Sequence, residues 1–430
     1  MKRFFAALVF LGSFMSQGFA ADIPLIEFKT PHGTTVTFLH STNQDTVAIS
    51  LAFACGLACD DAKGPATGLL APSLLLEGAD GQSSSELYEA FQDVGGSLSI
   101  DSTPDQTYAS ISAPAKGIEG AVKLVNIVLN KPDFPAKRFE RKRDAAAERL
   151  EEASASPDFA VQKAFNDAAF EDHPYKENLS PTADGVRRVA RSDLAPWVAR
   201  HLVRNGIIVT LVGNVEQTQA GKLIDELLEG LPDKSDLPPV PPAHFKPAPA
   251  TPIHVVGDKS DQAVVMVGSV FARDTALKDW LSGYMLGLIF SGDQKSRLFK
   301  DIREATAATY GMQPSTSFYE AISANSVSGR VAKNGVDATL AIVAKSWDKF
   351  RATGPTPDEI ANVKAGQLNT LQVLARNNIS MAATLRDYLT GHWSTAELAN
   401  LPSAIKTANL TDSTILKRYF SEKPIVVVTQ

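Results

Sequence analysis

One pattern occurs twice in this chain, and it limits the fold more than any other feature. The β-rich run VAISLAFACG at residues 47–56 has a counterpart in AVVMVGSVFA at 263–272. Each run leads into an apolar helical stretch, ATGLLAPSLLLEGAD in one case and KDWLSGYMLGLIFSGD in the other. A shorter amphipathic helix follows (SSELYEAFQDVGG, KSRLFKDIREATAA), then an alternating strand, a helix and a helix led by proline. Both series close on a β-run, NGIIVTLVGNV and KPIVVVTQ, and the second trails the first by roughly 211 to 222 residues throughout. Seven elements repeated in one order predict a duplicated α+β domain with mixed or largely antiparallel sheets. Between the copies, LPDKSDLPPVPPAHFKPAPATPI (231–253) holds eight prolines and reads as an extended, semi-rigid connector. The organisation expected is a domain over 22–232, a connector over 233–252 and a second domain over 253–430.

Local signals support the helices. Ser84 or Ser85 suits an N-cap for the helix carrying Leu87, Tyr88 and Phe91 at i, i+3, i+4 spacing. Ser296 stands in the same relation to Leu298, Phe299 and Ile302. The G-x-x-x-G spacing of Gly283 and Gly287 predicts close helix packing.

The N-terminus reads as an export signal over residues 1–20. Lys2 and Arg3 precede an apolar run at 4–15, and Gly18 and Ala20 are the small residues of a cut after Ala20. No later segment holds 18 unbroken apolar residues, so a periplasmic or secreted location without stable membrane insertion is expected. The net charge of -6 leaves no basic footprint for nucleic acid. Two cysteines, Cys55 and Cys59, admit a local disulfide or a pair of buried thiols.

No G-x-S-x-G, P-loop or dinucleotide fingerprint is present, and no two of the seven histidines lie three to five residues apart. The stretches 47–100, HPY at 173–175, IVTLVGNV and 286–311 resemble the insulinase/pitrilysin-type zinc peptidases, the inverzincins, which include mitochondrial-processing-peptidase-like proteins. The resemblance implies two homologous domains, each a β-sheet with helices packed on one face, facing each other as a clam-like chamber.

Active members of that family carry H-x-x-E-H on the helix after the first strand, where two histidines bind zinc and the glutamate activates water. Counted back from EGAD, those positions fall here on Leu69, Pro72 and Ser73. None can replace the lost chemistry, and no histidine occurs between His40 and His173. Glu148, near the expected downstream ligand, reads as a solvated helix carboxylate, and His173 as a hydrogen-bonded structural histidine.

The second copy keeps more. SRLFKDIREATAATYG resembles the segment whose Arg and Tyr, seven positions apart, reach a zinc site in the opposite half and contact the substrate backbone. The matching residues are Arg303 and Tyr310. A guanidinium and a phenol suit the negative charge that builds on a scissile carbonyl. The family adds peptide as a strand to a sheet edge, and the matching edge begins at Gly95, Gly96 and Ser97.

The implied function is a non-catalytic subunit of a heterodimeric periplasmic zinc endopeptidase. It would hold no cofactor itself, and zinc would sit in an H-x-x-E-H-bearing partner of similar size. The alternatives are an inert scaffold or assembly protein of the same fold and a lone peptide-binding module.

Overall fold

The structure, a computed structural model, describes residues 22–59, 66–170, 173–257, 259–305 and 312–429. The expected signal peptide and Tyr310 lie outside the described residues.

The first copy contributes strands β1 (Ile26–Lys29), β2 (Thr35–His40), β3 (Thr46–Phe53), the short pair β4 (Gly78–Ala79) and β5 (Gln82–Ser83), β6 (Ser97–Ser102), β7 (Thr107–Pro114) and β8 (Ile208–Gly213). Its helices are α1 (Ala66–Leu75), α2 (Ser84–Asp93), α3 (Ile118–Asn130), α4 (Ala136–Ser154), α5 (Pro157–Ala169), α6 (Tyr175–Asn178), α7 (Ala183–Arg187), α8 (Leu194–His201) and α9 (Gln217–Leu228). The second copy has β9 (Ile253–Val255), β10 (Gln262–Ala272), β11 (Gln313–Phe318), β12 (Ile322–Ala332) and β13 (Ile425–Thr429). Its helices are α10 (Leu277–Ser291), α11 (Arg297–Ala305), α12 (Val336–Thr353), α13 (Pro357–Leu374), α14 (Asn378–Leu389), α15 (Thr395–Ala399), α16 (Leu401–Thr407) and α17 (Ser413–Tyr419).

The sheets are ordered β1-β2-β8-β3-β7-β6 and β11-β12-β10-β13-β9. Read inward from β6 and from β11, the two orders coincide element for element, with β1 as an addition to the first. Both sheets are antiparallel except at one equivalent place, the parallel pairs β2/β8 and β9/β13. This is the α+β, two-domain fold that the repeats predict.

Strand β3 explains how the first sheet is covered. Val47, Ile49, Leu51 and Phe53 point one way into a core shared with α1, α3 and α9. The other face presents Ala48, Ser50 and Ala52, which are small enough to admit a helix backbone. That helix is α14, from the opposite copy. It is held by Thr210 Oγ1 donating to Ala382 O at 2.9 Å and Asn378 Nδ2 donating to Thr46 O at 2.7 Å. Arg386 of α14 is buried, donates to Ser50 Oγ at 2.9 Å and lies over the Tyr108 ring.

The second sheet receives α5 from the first copy. Val161 and Phe165 pack on Val264, Met266 and Val427, and Arg330 of β12 pairs with Asp158. Full burial of a side chain such as Phe165 contributes about 2 to 3 kcal/mol. Sequence reading placed helices on one face of each sheet; the opposite face also receives one, exchanged between the halves.

Two local features follow from sequence. The N-cap of α2 is Ser83 rather than Ser84 or Ser85, because Glu86 then falls at N3 and completes a capping box. Gly283 lets α10 meet α17: a Cβ there would stand 1.9 Å from the Tyr419 ring. The proline-rich segment is extended and lies on the protein, with Val240 and Phe245 against the α5 core and Phe245 bridged to Phe170.

Candidate functional site

Helix α1 holds the degenerate metal positions. Leu69 is half-buried against the first core, Pro72 is buried within the helix, and Ser73 turns its hydroxyl back to Leu70 O at 2.9 Å. Glu148 stands exposed on α4. The end of α1 is tied to α4 by Glu77, which pairs with Lys142 at 2.9 Å and Arg138 at 3.5 Å. A leucine, an internal proline and a self-bonded serine do not form a zinc donor set. Among the described residues no group of three His, Cys, Asp or Glu could hold a metal. The helix persists as a packing element.

Strand β6 is an edge of the first sheet, paired only with β7 from Ser97↔Ser112 to Ser102↔Thr107. Ser97, Ser99 and Asp101 are exposed along it. Beside the edge lies a cavity of about 270 Å³ lined by Leu76, Leu87, Tyr88, Phe91 and Leu98. The glycines before the strand have reasons inside the fold. Gly95 has φ +63°, and a Cβ on Gly96 would press on Ala121 and Val94 at 3.1 Å. Ser97 Oγ is 2.7 Å from Ser112 Oγ.

Arg303 is exposed in the last turn of α11, while Leu298 and Ile302 of that helix are buried. The helix is fixed by Arg297, which grips Glu359 through two hydrogen bonds of 2.7 and 2.6 Å and stacks on Phe350. Burial alone would raise the Glu359 carboxyl, but Arg297 and the Thr356 N–H hold it at about 2. Arg303 therefore projects from a rigid support. Tyr310 falls outside the described residues, so its approach to Arg303 is not part of this geometry.

Sequence reading missed a polar junction between the halves. Asp105, at the tip between β6 and β7, is buried and accepts from the Tyr175 hydroxyl at 2.5 Å and from the Glu320 N–H at 2.7 Å. Tyr175 also accepts from Ala321 N–H at 3.2 Å. Glu320 pairs with Arg273 at 3.1 Å and His392 at 2.9 Å. Burial pushes the Asp105 carboxyl up to about 6, against the hydrogen bonds it accepts. Burial and the neighbouring Asp105 also raise the Tyr175 phenol.

His173 holds the other side of the junction. Its Nδ1 accepts from the Tyr175 N–H at 3.2 Å, so Nε2 carries the proton and donates to Pro241 O at 2.9 Å. Burial lowers its pKa. The histidine is structural, and it ties the proline-rich segment to Tyr175.

Cys55 and Cys59 form a disulfide. The loop it closes seats the Asp105 tip, because Leu57 and Ala58 N–H donate to Thr103 O and Pro104 O at 2.9 and 2.7 Å. Gly56 is required at this seat, since a Cβ would lie 2.1 Å from Thr103 O. The spaced pair HPY and TPDQ was the available sequence signal, but neither announces a partner in the other half.

Two family descriptions match this chain. "Insulinase (Peptidase family M16)" matches residues 35–183, and "Peptidase M16 inactive domain" matches 188–367. Subunit 1 of the bovine mitochondrial cytochrome b-c1 complex is 22% identical over 207 residues, 47% of this chain and 43% of that one. The chain thus spans less than half the length of that relative. A crystal structure of a peptidase M16 inactive domain from Pseudomonas fluorescens superposes with TM-score 0.85 at 19% identity, covering 94% of this chain and 97% of that one. The periplasmic protease PqqL of Escherichia coli gives TM-score 0.80 at 18% identity, with 99% of this chain matched to 49% of that chain. No helix among the described residues is long and apolar enough to cross a membrane. The two matched segments together take in most of the sequence, and the chain belongs to the insulinase family, peptidase family M16, as a member without H-x-x-E-H.

Proposed function

We propose that this chain is the non-catalytic subunit of a two-chain periplasmic zinc endopeptidase. Its N-terminal domain (22–232) and C-terminal domain (253–430), joined by the connector at 233–252, would close the peptide chamber of a partner that carries H-x-x-E-H and zinc. Arg303 and Tyr310 would reach the partner's site and stabilise the charge that develops on the scissile carbonyl. The carrying observation is the contrast between the two copies: α1 has no metal donors, whereas α11 is rigidly braced and presents Arg303 to solvent. Two features add support: the inactive-domain match includes both residues, and PqqL, a periplasmic protease, contains a second portion about as long as this match.

The test begins with a pull-down of the mature chain from its native periplasm. A co-eluting stoichiometric chain with H-x-x-E-H is expected. Arg303→Ala with Tyr310→Phe should then leave the complex intact and abolish most peptide turnover. Retained turnover would reject the assignment, as would chelator-sensitive peptidase activity of this chain alone.

The match to a respiratory-complex subunit favours one second reading, an inert scaffold of the same fold. Under it the double variant changes nothing.

A further inference from the structure

The proline-rich connector is poor in hydrogen-bond donors. Its eight prolines carry no N–H, so its hold on the rest of the protein depends on carbonyls and apolar contacts. Val240 and Phe245 supply the apolar contacts. His173 supplies a donor between them, with Nε2–H bonded to Pro241 O at 2.9 Å.

The His173 ring is 6% exposed and lies beside Phe170 and Tyr175, with ring centroids 5.9 and 4.3 Å away. Its Nδ1 accepts the Tyr175 N–H at 3.2 Å. Both nitrogens are therefore committed, and the imidazole fits only as the neutral Nε2–H tautomer. A second proton would go on Nδ1. Two N–H groups would then point at each other across a gap that now holds a hydrogen bond. Turning the ring over gives no relief, because it presents a C–H edge to Tyr175 and withdraws Nε2 from Pro241.

The two sides of the ring are not equally free to yield. Tyr175 is fully buried, and its hydroxyl donates to Asp105 at 2.5 Å and accepts the Ala321 N–H at 3.2 Å. Falling pH favours that junction, since the buried Asp105 carboxyl takes up a proton more readily than a free one. On the connector, Pro241 and His244 are exposed, and Val240 and Phe245 are half-buried. The ring faces Tyr175 from α6, with Asp105 behind the phenol, and Lys176 follows on that helix. From the connector it faces Pro241 and His244, and from α5 the uncharged Phe170. Glu171 and Asp172 precede it in sequence and lie outside the described residues. Burial, with a smaller push from His244, lowers its pKa against the hydrogen bond to Pro241.

We propose that His173 is an acid-released catch on the connector. Protonation drives the imidazole out from between Tyr175 and Pro241, and the connector loses its central anchor while the Asp105 junction stays closed. The halves are linked by a docked strap at neutral pH and by a slack tether in acid. The device does not depend on a peptidase partner.

The test is amide hydrogen exchange of the mature chain, resolved to single residues and corrected for intrinsic rate, at pH 7 and pH 5. Tyr175 N–H reports the catch directly, and Lys246 N–H, bonded to Ala169 O at 3.2 Å, reports the connector. Protection at both should fall by up to about twentyfold, the change expected when only the open form takes the proton with an ordinary imidazole pKa. Leu57 and Ala58, which seat the Asp105 tip, should keep their protection. His173→Gln stays neutral and can still donate to Pro241, so its protection should not change with pH. Constant protection at Tyr175 in the wild type overturns the proposal, whether or not the variant folds. So does an equal acid response in His173→Gln, which would put the titration elsewhere. A response at Tyr175 without one at Lys246 shows the connector held, and a loss shared by Leu57 and Ala58 shows general acid unfolding; either result also overturns it.

Discussion

The Tyr175 hydroxyl donates to Asp105 at 2.5 Å, and through this contact the tip of the first sheet is joined to the second copy. Asp105 also takes the Glu320 N–H, and Tyr175 takes the Ala321 N–H. Tyr175→Phe removes one hydroxyl and leaves two buried groups short of a partner. Loss of about 2 to 3 kcal/mol is expected in urea unfolding. A loss within error of zero would show the junction to be energetically silent.

The same carboxyl makes stability depend on pH in an unusual direction. Asp105 holds its proton up to about pH 6 in the folded chain, against 3.8 in the unfolded one. The folded state therefore binds the extra proton between those values. The stabilisation is fully present below the unfolded value and is lost as pH rises through about 6, by about 3 kcal/mol in total. His173 acts in the opposite sense, since its lowered pKa costs stability as pH falls below the usual imidazole range. Comparison with Asp105→Asn isolates the first effect. Melting curves should show wild type losing ground to the variant from pH 4 to pH 7; a constant difference would refute the linkage.

Reduction of Cys55–Cys59 should act locally. The loop is short, so the chain-entropy contribution is about 2 kcal/mol at most. The Leu57 and Ala58 amides, however, seat the Asp105 tip. In Cys55→Ser/Cys59→Ser, hydrogen exchange at those two amides and at Thr103, Asp105 and Gln106 should accelerate well before exchange in β3. Uniform acceleration across the first half would point to a global role instead.

The register assigned to α1 can be checked by rebuilding it. The wild-type chain should take up no stoichiometric zinc. Leu69→His, Pro72→Glu and Ser73→His together place two imidazoles one turn apart, with Glu148 on the neighbouring α4 as third ligand. About one zinc per chain is expected by elemental assay of the dialysed protein. Failure of a folded triple variant to retain zinc would mean that the motif positions lie elsewhere.

Gly283 and Gly287 offer a graded test of helix packing. A methyl group at 283 meets the Tyr419 ring at 1.9 Å, whereas one at 287 meets Asn325 and Thr316 at 3.1 Å. Gly283→Ala should cost about 3 kcal/mol by overpacking, and Gly287→Ala distinctly less. Equal melting temperatures would contradict the packing described.

Periodicity and repeat order made the secondary structure and the duplication legible, because each strand and helix carries its own apolar pattern. The edge position of β6 came only through the family resemblance, and no local pattern marks it. Cross-chain relationships were less accessible. Ala48, Ser50 and Ala52 look like weak strand residues until α14 is seen to lie on them. Asp105 reads as a turn aspartate, since nothing in TPDQ foretells burial against Tyr175. Gly95 and Gly96 read only as the start of a peptide-adding edge; that Gly95 has positive φ and that a Cβ on Gly96 would press on Ala121 are not visible in the sequence. Long-range burial, unlike propensity, is not written in any short window.

The exchange of α5 and α14 has a further consequence. A fragment ending at residue 232 would lack α14 and bare the strip of Ala48, Ser50, Ala52 and Thr210; one beginning at 253 would bare Val264, Met266 and Val427. Neither moiety is a self-sufficient unit, although each repeats the other. Each sheet is finished by a helix that its own copy does not keep, so cutting the connector separates each sheet from its cover unless both pieces are present together. Joined in one chain, the two covers meet at a fixed effective concentration; as separate fragments they would pair only as fast as dilution allows.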